Sequence, residues 1–183
     1  EDIRLLAPNT LFGGMFTSRL NMNLREEKGW PYGARSRLKD TRGQRLWWMS
    51  ARVERDQTAP AIREVLAELA GMRGSESVTD MELRKTKNDM TLTLPGRHET
   101  SAQLSSSVTR MLTYGLPDDY FDNFISTVRA LTVEQVEKTA SSFFIQKNMV
   151  WTIVGDLSII EKDVRALDLG EVIVIDTQGA TLR

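Results

Sequence analysis

The chain has no cysteine, a single histidine and no long apolar run. Without cysteine there is no disulfide, no thiolate metal site and no sulfur nucleophile. That absence fits a bacterial periplasm and a cytoplasm equally. One imidazole, His98, cannot supply two metal nitrogens, and Glu99 beside it does not share its helix face. His98 reads as a surface residue near a helix start, and no Ser-His-Asp set can be built around it. No apolar run reaches the roughly 18 residues of a membrane span. Charge of one sign is also lacking: 24 basic residues stand against 25 acidic ones. With that balance, and no repeating aromatic-basic platform, nucleic acid is not an expected partner. Neither Gly13-Gly14 nor Leu94-Pro95-Gly96 has the pattern of a phosphate-binding loop. The carboxylate pairs, Asp118-Asp119 and Glu26-Glu27, read as helix-start or solvated-face charges rather than as a hard-cation site. No metal site is expected in this chain, which on its own residues is not a self-sufficient enzyme.

What is present suits one domain. The 183 residues are 40% apolar, enough for a real core. Ile3, Leu5, Leu6, Leu11 and Phe12 predict a helix over 2–12, ending at Gly13 and Gly14. A second runs over Arg19–Lys28, capped by Thr17 or Ser18, with Leu20 and Leu24 inward and Gly29 at its end. Residues 32–40 and 45–55 alternate as a hairpin. In the second strand Trp47, Met49, Ala51 and Val53 share one face and Trp48 lies on the other, so one tryptophan belongs to the core. Helices follow over 58–72, from Thr79 or Asp80 to about Leu94, and over 98–114, 118–131 and 132–144. Residues 148–155 predict a central strand buried on both faces, 156–167 a helix and 171–176 a last strand. Helices and a hairpin in this order predict an α+β fold with helices packed on a mostly antiparallel sheet.

Gly13–Gly33, GGMFTSRLNMNLREEKGWPYG, organises the rest. A helix ends there in a tight turn that presents one arginine, Arg25, and one tyrosine, Tyr32. Spacing alone leaves two readings. Arg25 pairs with Glu26, Glu27 or a neighbouring strand while Tyr32 is a half-buried strand residue, or the two are donors facing a ligand. The basic face of Arg35, Arg37 and Lys39 divides similarly, between a cavity lining that attracts peptides and a hairpin edge protected by charge.

The stretch resembles the signature of the metal-free half of pitrilysin-type zinc metallopeptidases, the branch that includes mitochondrial processing peptidase. The matching residues are Leu11, Gly13, Gly14, Ser18, Arg19, Leu20, Leu24, Arg25, Glu26, Glu27, Gly29, Trp30, Tyr32 and Gly33, with Phe12 and Pro31 as departures. Leu116-Pro-Asp-Asp-Tyr, Leu131-Thr-Val-Glu-Gln-Val and Val154-Gly-Asp-Leu extend the likeness along the chain. The resemblance implies one α+β unit of a half-clamshell, a single domain over 1–183. Such units begin with a strand or two before the Leu-Gly-Gly helix, so the resemblance also implies truncation at the N-terminus, an exposed sheet edge and self-association. It further implies that zinc sits in a partner domain or subunit, on a His-x-x-Glu-His motif. Arg25 and Tyr32 would then serve catalysis, stabilising the oxyanion, and bind peptide substrate together with Arg35. A non-catalytic structural or assembly subunit, like the core proteins of respiratory complexes, is the alternative within the family. A generic binding module is the alternative outside it.

Overall fold

The computed structural model describes residues 2–183. Helix α1, Asp2–Asn9, runs on into a π-helical turn, Thr10–Gly14. This turn packs against the first strand of the sheet and buries Leu11, Phe12 and Gly13. A β-carbon on Gly13 would stand 2.7 Å from Ser36 Oγ, so glycine is what permits the approach. The glycines predicted to end this helix are therefore inside its last turn. Helix α2, Arg19–Asn21, likewise continues as a π turn, Met22–Glu27, and buries Leu20 and Leu24 as predicted.

Strands β1, Ala34–Lys39, and β2, Leu46–Ala51, pair antiparallel, with Ala34 opposite Ala51 and Lys39 opposite Leu46. Trp47 is the core tryptophan. Its ring meets Phe12, Phe143 and Phe144, and its Nε1–H donates to Asn9 Oδ1 at 3.0 Å. Asn9 Oδ1 also accepts from Ser36 Oγ at 2.8 Å, so this buried polar group is satisfied. Trp48, on the other face, is exposed.

Helices α3 (Thr58–Ala70), α4 (Asp80–Leu92), α5 (Ser101–Tyr114), α6 (Tyr120–Ala130), α7 (Val133–Phe143) and α8 (Leu157–Arg165) complete the chain. Helix α1 lies at the centre, against α4, α6, α7 and β1. Phe12, Val128, Val136, Ala140 and Phe144 form the middle of one contiguous core. Each such side chain contributes on the order of 1–3 kcal/mol by leaving water. Capping boxes start α4 (Thr79 with Glu82), α5 (Thr100 with Gln103) and α7 (Thr132 with Gln135). The fold is α+β, helices on an antiparallel sheet. Among the described residues no helix is long and apolar enough to cross a membrane.

Two predicted strands are not strands. Asn148 closes a 3₁₀ turn, Gln146–Asn148, and residues 149–155 that follow belong to no helix or strand; Met149 and Trp151 pack against the core, Ile153 is half-buried, and Val150, Thr152 and Val154 are exposed. Val150 and Val154 are 93% and 94% exposed, so the segment is not buried on both faces. None of residues 150–155 exchanges a main-chain hydrogen bond with another described residue. Residues 171–176 form no full strand but fold back on the C-terminus through one antiparallel bridge, Ile175 to Thr181, with Val174 N–H donating to Arg183 O and Leu182 N–H to Val174 O, each at 2.8 Å. Alternation gives the conformation of such a segment; a strand also needs a neighbour.

Candidate functional site

Three short pieces of the Gly13–Gly33 stretch meet at one surface. The turn Met15–Ser18 is closed by Ser18 N–H donating to Met15 O at 3.2 Å, and it carries Phe16. The π turn 22–27 carries Arg25. It ends at Gly29 in the left-handed region (φ 69°), where Gly29 N–H donates to Arg25 O and Trp30 N–H to Leu24 O. That reversal returns the chain past Arg25 and delivers Tyr32 just ahead of β1. Asn21 joins the pieces. Its buried amide donates to Met15 O (3.4 Å) and Ser18 Oγ (3.5 Å) and accepts from Ala34 N–H at 2.8 Å.

The Arg25 guanidinium carbon lies 4.4 Å from the Phe16 ring centre and 5.5 Å from that of Tyr32. Tyr32 is 95% exposed and Phe16 62% exposed. Tyr32 is therefore no half-buried strand residue; it sits in a bend before β1. Among the described residues Arg25 has one ionic neighbour, Glu26 at 3.6 Å, too long for a hydrogen bond. A cation held over aromatic rings keeps its N–H groups available to other acceptors, which an ion pair would not. Arg19, six residues earlier, is the contrast. Its Nε and one terminal nitrogen reach Glu82 at 2.6 and 3.0 Å, and further contacts go to Ser77 O and Glu76 O. Its donors are consumed holding α2 to the start of α4, and Glu82 keeps its proton affinity high.

The Arg25 helix also borders an open cleft of ≈ 630 Å³ lined by Glu26, Glu27, Glu68, Glu76 and Glu82, with Arg19. Neither Arg25 nor Tyr32 lines it. Burial holds the Glu68 carboxyl above its ordinary range, although Asn23 donates to it at 2.8 Å. Among the described residues no group of His, Asp and Glu has the arrangement to hold a metal ion.

Residues 1–90 match the family model described as the peptidase M16 inactive domain. Over these residues, just under half of the chain, the sequence is similar to that family. No curated protein matches the sequence. Among solved structures, the peptidase M16 inactive domain from Pseudomonas fluorescens superposes with a TM-score of 0.70 at 22% identity, over 77% of this chain and 34% of that one. The periplasmic protease PqqL from Escherichia coli gives 0.57 at 18%, over 76% and 15%. A chain of complex III2 from Candida albicans gives 0.61 at 15%, over 75% and 35%. The chain thus spans about a third of the Pseudomonas structure that it matches. At these identities the likeness is one of fold, and the fold hosts both a protease and a part of complex III2.

Within the part that matches the M16 inactive-domain model, the structure brings Arg25 and Tyr32 together. Arg35 stands three residues beyond Tyr32 on the exposed face of β1, without an ionic or hydrogen-bonded partner among the described residues. His98 is half-buried rather than on the surface. Its ring stands edge-on to Phe121, with Nδ1 3.0 Å from Leu94 O. Sequence reasoning missed Phe16 and Asn21. Phe16 lies in a turn, where periodicity is silent. Asn21 was detectable as a polar residue between the inward Leu20 and Leu24.

Proposed function

We propose that this inactive domain supplies substrate-facing donors to a zinc peptidase whose metal lies in a partner domain or subunit. The observation that carries the reading is Arg25, whose guanidinium lies over the Phe16 ring and near that of Tyr32 while its side-chain N–H groups stay out of hydrogen bonds among the described residues. A guanidinium edge and a neighbouring phenol are two donors at one exposed spot, suited to a peptide carbonyl as it becomes an oxyanion. The zinc supplied by the partner would polarise that carbonyl and activate water. Arg35, on the same stretch of chain, adds positive charge along the path of an extended peptide. The partner also has a structural side. Residues 150–155 offer unpaired main-chain groups, which the zinc-binding half or a second copy of this chain would cover by strand pairing.

The test uses the chain paired with its zinc-binding half and a long unstructured peptide. Arg25→Ala and Tyr32→Phe are each expected to lower turnover by about 10²–10³ if the donor faces the oxyanion. Zinc content and thermal unfolding should not change. Tyr32→Phe is the cleaner probe because the ring and its stacking remain. Wild-type turnover in both variants would reject the catalytic reading and leave a structural or assembly subunit.

A further inference from the structure

We infer that Phe16 is a positioning residue for Arg25: its ring sets the plane of the guanidinium and so the direction of its free N–H edge. The inference rests on the reading of Arg25 and Tyr32 as substrate-facing donors and adds a third residue to the site. Phe16 is a large aromatic ring left 62% exposed in a tight turn, where its own burial explains little of its presence. Its ring is nearer to the guanidinium than that of Tyr32, 4.4 Å against 5.5 Å. A guanidinium on a flexible stem carries rotamer entropy that must be lost before it can donate in one direction. Stacking on a ring removes part of that freedom without occupying an N–H group, which an ion pair would do. Glu26, the one carboxylate beside Arg25, stays outside hydrogen-bond range.

The backbone supports this role. Phe16 and Arg25 belong to different pieces of chain, and one buried side chain fixes their relation. Asn21 sits one helical turn before Arg25. It binds Met15 O and Ser18 Oγ at the two ends of the Phe16 turn, and it receives Ala34 N–H from the strand that follows Tyr32. The amide of Asn21 thus holds the Phe16 turn, the Arg25 helix and the Tyr32 segment in register. An aspartate there would keep the acceptor for Ala34 and lose the donors to the turn.

The experiment labels the arginines of the full 183-residue chain with ¹⁵N and follows the Arg25 Nε–Hε signal by NMR. The signal is assigned by its loss in Arg25→Lys. Stacking predicts an upfield ring-current shift and a restrained side chain in the wild type. Phe16→Leu should remove the shift and loosen the signal. Phe16→Tyr should restore both, while the amide spectrum outside residues 15–34 stays in place in every variant. Asn21→Asp should weaken the shift with Phe16 still present. An Arg25 signal identical in wild type and Phe16→Leu would overturn the inference. In the enzyme paired with its zinc-binding half, Phe16→Leu should lower kcat about two- to fivefold with KM unchanged, and Phe16→Tyr should recover it. A change confined to KM would mean that Phe16 touches substrate instead, and would also overturn it. If Arg25→Ala leaves turnover intact, the catalytic reading fails, and the NMR result alone then decides whether Phe16 positions Arg25.

Discussion

At the scale of single residues, Arg19 and Arg25 show how one signature assigns opposite tasks. Arg19 spends its donors inside the molecule, and Glu82 is its partner and also the closing residue of the α4 capping box. Burial pushes the Glu82 carboxyl up, but bonds from Arg19 and from Thr79 N–H outweigh it and hold it below the usual carboxylate range. A pKa depressed in the folded state adds stability that is present above the unfolded value of about 4.5 and lost as pH falls through the folded value. Glu82→Gln should therefore cost roughly 1–3 kcal/mol at neutral pH, because it leaves Arg19 half-buried without its carboxylate. That cost should shrink toward acid. Asp40 is also lowered and carries the same sign, so the difference between wild type and variant, followed by thermal unfolding at pH 3 to 7, isolates Glu82. A constant difference across that range would refute the assignment. The sequence displayed Arg25 and Tyr32 because they lie within one short motif. The Arg19–Glu82 pair was not legible, since 63 residues separate its members and only the packing of α2 on the start of α4 brings them together.

At the scale of elements, α5 is attached differently from the other long helices. None of its residues is buried, and Leu104, Val108 and Leu112 face outward. Its hold on the body runs through the hairpin turn. Asp40 binds Arg45, accepts from Arg110 Nε at 2.9 Å, and its carbonyl accepts from Tyr114 Oη at 3.1 Å. Arg42 Nε adds a bond to Thr113 O at 3.3 Å. A helix tied by polar bonds rather than by apolar burial opens locally at small cost. Asp40→Ala should lower hydrogen-exchange protection in α5 roughly tenfold while α1 and α7 keep theirs. Equal loss in all three helices would show that Asp40 supports the whole core instead. The existence of α5 was legible, though its start was not. The predicted helix began at His98, whereas the chain makes a 3₁₀ turn at Pro95–Arg97 and starts α5 at Ser101. Thr100 and Gln103 form the same Thr-x-x-Gln capping box as Thr132 and Gln135. Local capping chemistry is in the sequence; what it cannot reveal is which helix face finds a neighbour.

For the molecule as a whole, the open question is what completes the sheet, and residues 148–155 frame it. Their alternation is sound, since Met149 and Trp151 pack against the core and Ile153 is half-buried, while Val150, Thr152 and Val154 are exposed. The predicted strand failed because a ladder depends on a partner elsewhere in space. With one face packed and the main-chain groups of 150–155 unpaired, the segment is a template for another strand. Ile173, Ile175 and Leu182, exposed near the C-terminus, add to the apolar surface. The chain in isolation should therefore associate through this segment, with the weight-average mass from light scattering rising with concentration. Thr152→Lys places a charge on the outward face without touching the core, and it should suppress association with little effect on thermal unfolding. The main-chain amides of 150–155 should gain exchange protection in the associated wild type but not in the variant, which ties the effect to pairing rather than to general stickiness. Adding the zinc-binding half should give the same protection and dissolve the self-association, because both partners compete for one edge. A mass equal to that of a monomer at every concentration, with those amides unprotected in the presence of the zinc-binding half, would show that neither partner covers the segment.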